Sequence, residues 1–365
     1  MKTSEPPLAP EVAAATGLRT GWTTGTCASA AAKAATVWLV TGSPPEVVDV
    51  ALPGGARASF PVADVDTAVP CRCAVVKDAG DDPDVTHGAH LTAAVAWGEA
   101  PGVALHGGEG VGVVTLPGLG LPVGAPAINP VPARMIRKAV REVTGRGVVV
   151  TVSVPGGEEM AAKTSNARLG IVGGISILGT TGVVRPFSTA AWRASVVQQV
   201  DVAAAQGEPH VVLSTGGRTD AAAQRLVAEV PPVCFVEVGD FTGIALRRAA
   251  ASGVVERVTF VGMAGKITKL AAGVLMTHYR RSKVDGRLLA EVAAASGAPG
   301  AVVAAATATA TARHFAEACV AAGHLAPLEE LCRRARSACD AHVGGALAVE
   351  VVMVDFEGEA VLARA

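Results

Sequence analysis

Aromatic side chains are scarce, at 3% of the 365 residues with a single Tyr. That scarcity removes the stacking platforms on which single-stranded nucleic acids are held. Charge is also sparse, at 17% of residues, and balanced to a formal net charge of −1. A chain so balanced lacks a general electrostatic grip on phosphate backbones, so nucleic acid is not an expected partner. No apolar run approaches the roughly 20 strongly apolar residues that span a bilayer. The longest are Ala/Val stretches broken by Gly, Thr or charge. Residues 1–16 carry Glu5 and spaced prolines without the apolar core of a signal peptide, and are expected to form a flexible tail. No membrane partner and a cytoplasmic location are the corresponding expectations.

The cysteines lack a disulfide rhythm: seven of them, an odd number, are scattered from Cys27 to Cys339. Free thiols in a reducing compartment are expected. Cys71 and Cys73 form a CxC pair, but no second pair or His-x-x-x-His follows at zinc-site spacing. In a strand, residues two apart share a face, so this pair reads as core filling and no protein-bound metal is expected.

What is abundant is Ala and Val, within a hydrophobic half of the chain that excludes disorder. The length allows two domains, each with its own core. In the first half, Thr26 can cap an Ala-rich helix from Ala28 to Val40. Short strands are predicted at Val47–Leu52, Ala58–Val62, Ala68–Lys77 and within Val103–Leu116. Asn129-Pro130 opens a helix running to Val143, with Met135, Ile136, Ala139, Val140 and Val143 as its apolar stripe. Arg134, Arg137, Lys138 and Arg141 form a basic stripe opposite, and Val148–Val154 reads as a buried strand.

The second half alternates: a helix Thr189–Ala205, a strand Val211–Leu213, a helix after Thr219, a strand Val233–Val236, a helix after Asp240, a strand Val258–Val261, and a helix from Ala264. Ala346–Asp355 adds a last strand. Such alternation implies crossovers and a parallel sheet. The expected fold class is mixed α/β: an N-terminal α+β two-layer domain over 17–187, then a Rossmann-like parallel α/β domain over 188–365. The boundary is placed between Thr181 and Thr189.

In parallel sheets, ligands sit beyond the carboxyl ends of the strands. Those ends carry Ser214, Gly216 and Gly217, then Glu237 and Asp240, then Gly262, Gly265 and Lys266. Glycine admits close backbone approach, and a following helix N-terminus favours negative charge. Glu237 lies about twenty residues past the first loop, the offset at which an acid often holds ribose hydroxyls. The first loop lacks G-x-G-x-x-G, and the third is not a P-loop, because Phe260 stands where that motif needs its first glycine. Two first-half segments are unusual. Thr23, Thr24, Gly25 and Thr26 crowd hydroxyls before a helix, readable as an elaborate cap or as a binding turn. Asp81, Asp82, Asp84 and His87 crowd one loop, readable as an exposed acidic turn or as acid–base machinery. His87 and His90 could approach a metal if helical, but two histidines do not make a site. His278, near Arg280 and Arg281, reads as a surface or core residue.

Taken together, these residues resemble the CbiD family. The resemblance rests on Leu18-Arg-Thr-Gly-Trp-Thr-Thr-Gly-Thr-Cys-Ala28, Gly80-Asp-Asp-Pro-Asp-Val-Thr-His-Gly88 and Ile128-Asn-Pro-Val-Pro-Ala-Arg134. It continues in Val154-Pro-Gly-Gly-Glu158, Leu178-Gly-Thr-Thr-Gly-Val183, Ser214-Thr-Gly-Gly-Arg218 and Gly262-Met-Ala-Gly-Lys-Ile-Thr-Lys-Leu270, in one order from about residue 17 to 355. It implies methyl transfer from S-adenosylmethionine to C1 of cobalt-precorrin-5B, giving cobalt-precorrin-6A in anaerobic cobalamin biosynthesis. Cobalt then arrives inside the corrinoid substrate. No established catalytic residue comes with the resemblance, so the sites are assigned on physical grounds. Ser214, Gly216, Gly217, Glu237, Asp240, Gly262 and Gly265 are assigned to the donor. Thr23, Thr24, Gly25, Thr26, Arg134, Arg137, Arg141 and Lys266 are assigned to the carboxylate-bearing ring. Asp82, Asp84 and His87 are assigned to catalysis. The alternatives are a corrinoid-precursor binding protein without catalysis and a nucleotide-dependent transferase acting on another anionic metabolite. Oligomeric state, a homo-oligomer included, stays open.

Overall fold

The computed structural model describes residues 17–66, 71–277, 285–308 and 311–365. The tail expected over 1–16 and the residues His278, Arg280 and Arg281 lie outside them. The chain divides into two compact units, residues 1–191 and 192–365, and both mix helices with sheets. No helix among the described residues is long and apolar enough to cross a membrane.

The first unit is organised around helix α1, Thr24–Thr41. Thr23, not Thr26, is its N-cap: Thr23 is extended and its hydroxyl accepts from the Thr26 N–H. Gly42, in the left-handed region, closes the other end by donating to the Trp38 carbonyl. Ala28, Ala30, Ala31, Ala32, Ala34 and Ala35 are fully buried, so α1 meets neighbours on nearly every side. The buried Ser29 and Thr36 hydroxyls donate to carbonyls four residues back, which satisfies them without a partner outside the helix.

Beside α1 lies a five-stranded sheet built from β1 Ala63–Asp66, β2 Arg72–Val76, β3 His90–Trp97, β4 Val103–Gly107 and, after helix α2 at Pro130–Arg141, β5 Val148–Ser153. Its order is β1-β2-β3-β5-β4, with only β5 and β4 parallel. Alternation sends Cys73, Val75, Leu91, Ala93, Val95, Val148, Val150 and Val152 into a core shared with α1 and α2. Cys71 lies outside β2 at φ 51° and is half-buried, so the two cysteines do not share a strand face. The expected apolar stripe of α2 is buried through Val140, while its four basic residues are exposed. A separate hairpin, Val47–Ala51 with Arg57–Pro61, packs on the same core.

The second unit contains α3 Thr189–Ala205 from Trp192 onward, β6 His210–Ser214, α4 Gly217–Leu226, β7 Phe235–Glu237, α5 Thr242–Ser252, β8 Arg257–Met263 and α6 Ala264–Ala271. Helices α7 Gly286–Ala295, α8 Gly300–Ala308, α9 Ala312–Ala321 and α10 Ala326–His342 follow, then strands β9 Ala348–Val354 and β10 Val361–Arg364. The strand predicted from Val233 begins later, because Pro232–Cys234 forms a 3-10 turn. The sheet order is β7-β6-β8-β9-β10, with β6 to β9 all parallel and β10 antiparallel. The chain steps from β6 outward to β7, then back past β6 to β8. That reversal creates a topological switch point between β6 and β8.

Candidate functional site

At the switch point three strand ends lie side by side, with Ser214 in register with Glu237 on one side and Val261 on the other. Beyond Ser214 the chain turns through Thr215 and Gly216 into α4, three residues earlier than the expected start after Thr219. A Cβ built on Gly216, Gly217 or Gly265 would meet nothing within 4 Å, so these backbones border open space. Gly262 is different. Its Cβ would lie 2.6 Å from the Phe260 ring, so this glycine permits packing inside β8. Ser214 is also turned inward: it is fully buried and its hydroxyl donates to Asp220 at 3.2 Å.

Asp240 and Lys266 were assigned to different ligands, yet they form one ion pair. Lys266 Nζ also donates to the Thr277 hydroxyl at 3.0 Å, and that hydroxyl donates to Asp240 at 3.2 Å. Lys269 joins them from the next turn, donating to the Thr277 carbonyl at 2.8 Å; burial holds its pKa below the ordinary value. Glu237 is half-buried, and its N–H donates to the Gln199 side chain. One feature escaped the sequence. Arg218, in the first turn of α4, lies 4.0 Å above the Phe356 ring, while Arg313 lies 3.5 Å from the same ring. Two guanidinium groups thus share one aromatic face-pair near the strand ends.

In the first unit, the hydroxyl-rich turn is not presented to solvent. Thr23, Thr24 and Thr26 are at most 5% exposed. Thr24 Oγ1 accepts from the Leu178 N–H at 2.9 Å, the Gly25 N–H donates to the Leu178 carbonyl at 3.0 Å, and the Thr26 hydroxyl donates to Gly182 at 2.7 Å. These groups hold residues 176–182 in place. Gly25 is required because a Cβ there would lie 2.7 Å from Pro132 Cγ of α2.

The acidic loop is split among separate tasks. Asp81 accepts from the Arg19 N–H at 2.6 Å, and Asp82 accepts from the Phe187 N–H at 2.9 Å. Asp84 accepts from Lys77 at 2.7 Å and from both the Thr86 N–H and hydroxyl. Burial works against its carboxylate, but those hydrogen bonds outweigh it and hold the pKa below the ordinary value. Lys77 is 1% exposed, a buried cation that sequence reading passed over. His87 is exposed, and its Nδ1 accepts from the Ala79 N–H at 3.1 Å. When neutral it therefore carries its proton on Nε2. His90 lies on β3, where it pairs with Asp64, and not on a helix with His87. Among the described residues no three His, Cys, Asp or Glu side chains gather as a metal site.

The basic stripe of α2 is partly committed. Arg141 donates to the Gly145 carbonyl at 2.7 Å, closing the helix end, and Arg137 reaches the Val103 carbonyl. A different basic group lines a cavity of about 370 Å³ on the sheet: Arg72 and His90, with Asp64, Ala74, Thr92 and Pro155. The period-two alternation of Arg72 and Ala74 against Cys73 and Val75 is the signal that could have found it.

Comparison with known proteins adds a separate line. The CbiD family model matches residues 11–186, and the model of the CbiD C-terminal domain matches residues 276–365. A protein of Salinispora tropica named cobalt-precorrin-5B C(1)-methyltransferase is 62% identical, over 93% of this chain and 91% of its own. A protein of the same name from Rubrobacter xylanophilus is 58% identical, over 97% and 93%. A crystal structure of a cobalamin biosynthesis protein (cbiD) from Archaeoglobus fulgidus is 31% identical, covering 72% of this chain and 83% of that one with a TM-score of 0.40. With both family models and near-full-length relatives in agreement, the chain belongs to the CbiD family.

Proposed function

We propose that this chain methylates C1 of cobalt-precorrin-5B with S-adenosylmethionine as donor, yielding cobalt-precorrin-6A. The observation that carries this reading is the 62% identity, over 93% of the chain, with a protein named for that methylation. The second unit is taken as the Rossmann-like donor domain. Support comes from the switch point between β6 and β8 and from the open space beside Gly216, Gly217 and Gly265. S-adenosylmethionine would supply the methyl group already activated by its sulfonium charge. The backbone at the start of α4 would meet the donor's carboxylate, and Glu237 its ribose. Asp240 would hold the Lys266 ammonium at the crevice wall. The remaining work is alignment of donor carbon with ring carbon, which can lower a barrier by roughly 7–11 kcal/mol.

In the first unit, Asp82 and Asp84 would shape the loop that presents His87. The Nε2–H of His87 suits donation to a ring carboxylate. Acting as a base at Nδ1 would cost the bond from Ala79. The test is one anaerobic incubation with cobalt-precorrin-5B and carbon-13 methyl-labelled S-adenosylmethionine. Label at C1 is the expected result. Tight corrinoid binding without transfer would identify a sequestering protein, and ATP binding with no use of the corrinoid would identify a different transferase.

A further inference from the structure

We infer that the adenine base of the methyl donor stacks on the Trp192 indole, beside Glu237 at the carboxyl end of β7. This rests on the reading of the second unit as the donor domain. Trp192 lies in the first turn of α3 and is 48% exposed. Two contacts fix the direction of that helix. Gln199 Oε1 accepts from the Glu237 N–H at 3.3 Å. About two turns earlier, on the same side of α3, the indole lies against Gly239. As the helix goes back from Gln199 to Trp192, the strand goes forward from Glu237 to Gly239, so the two run in opposite directions. The start of α3 therefore stands past the strand end. Gly239 makes the room there: its φ of 54° is left-handed, and a Cβ on it would lie 3.0 Å from the indole Nε1.

A purine base binds best against a flat apolar ring that is open on one side. The other described rings of the second unit do not offer one. Phe235, Phe241, Phe260 and Phe315 are at most 8% exposed. Phe356 has Arg218 Cζ at 4.0 Å and Arg313 Cζ at 3.5 Å from its ring centre. Two guanidinium groups that close to one centroid would collide on a single face, so both faces of Phe356 are taken. Among the described residues no cation and no second ring covers the Trp192 indole. Its position selects the ligand. An acid at a strand end suits ribose hydroxyls, and the base is one glycosidic bond from that ribose. A nucleoside whose ribose meets Glu237 thus has its base within reach of the indole.

The test uses the full chain with S-adenosylhomocysteine and with S-ribosylhomocysteine, which lacks the base. By calorimetry, Trp192→Leu should weaken S-adenosylhomocysteine by about tenfold or more, and Trp192→Phe should keep most of the affinity. S-ribosylhomocysteine should bind the parent and Trp192→Leu equally. Melting temperatures should stay close to the parent value, because the indole is half-exposed. The donor KM should rise with kcat nearly unchanged, since the base is remote from the methyl group. Saturating S-adenosylhomocysteine should quench tryptophan emission in the parent, and that quenching should vanish in Trp192→Leu. Parental S-adenosylhomocysteine affinity in Trp192→Leu, with Gly216→Ala still impaired, would overturn the stack and leave the donor domain standing. So would an equal loss for S-ribosylhomocysteine, because the indole would then serve the loop and not the base. Affinity unmoved by either substitution, or a parent chain that binds no S-adenosylhomocysteine, would overturn both.

Discussion

At the scale of single residues, Glu142 shows how much one carboxylate can hold together. It closes α2 and accepts from Arg57 at 2.7 Å and from Lys33 of α1 at 2.7 Å. Lys33 reaches on to the Asp49 carbonyl of the hairpin at 2.8 Å. The hydrogen bonds from Arg57 and Lys33 hold Glu142 at about 2, against an ordinary 4.5. A depressed folded pKa means that the unfolded chain takes up the proton first as pH falls. The stabilisation is therefore complete above about 4.5 and is lost as pH falls toward about 2. Glu142→Gln should lower stability at neutral pH by about 1.5–3 kcal/mol and flatten its dependence on pH in that acid window, as read by urea unfolding at a series of pH values. None of this was legible in the sequence. Glu142 lies 85 residues from Arg57 and 109 from Lys33, and only tertiary packing joins them.

At the scale of elements, legibility followed the strength of the pattern. The two-striped α2 and the alternating strands and helices of the second unit were readable because their periodicity survives without tertiary context. Helix α8 was not assigned because Ala and Val on every face leave no stripe to detect, whereas the stripe Leu328, Leu331, Cys332, Ala335 and Cys339 of α10 was legible and went unread; β10 is too short to announce itself. The cap of α1 was misplaced because three threonines compete for it and only the folded segment 176–182 decides which hydroxyl faces the helix. Thr23→Ala should cost about 1 kcal/mol through loss of that cap. Gly25→Ala should cost more, because its Cβ meets the Pro132 ring on α2. Denaturant midpoints at constant slope would show the ranking. Gly216→Ala offers the opposite case. Its φ of 162° is extended backbone and its Cβ position is empty, so stability should hold. If the donor approaches there, S-adenosylhomocysteine affinity should fall at least tenfold by calorimetry.

At the scale of the whole molecule, mixed α/β architecture and family were legible because many short motifs recur in one order, while the placement of individual site residues was not. Glycine-rich loops look alike whether they face a ligand, as the space beside Gly216 allows, or a neighbouring ring, as Gly262 does. One whole-chain property follows from packing alone. Six of the seven cysteines are buried and only Cys71 is half-exposed. Burial pushes the Cys27, Cys234, Cys332 and Cys339 thiols up to about 12, and those of Cys73 and Cys319 to about 11. Ellman's reagent should therefore react promptly with one thiol in the native protein and with all seven after denaturation. Prompt reaction of several thiols would contradict this packing. A sulfonium donor alkylates whatever strong nucleophile it meets, and a thiolate is the strongest a side chain offers. By keeping six of its seven thiols protonated and out of reach, the fold makes the protein a poor target for the reagent it is proposed to handle.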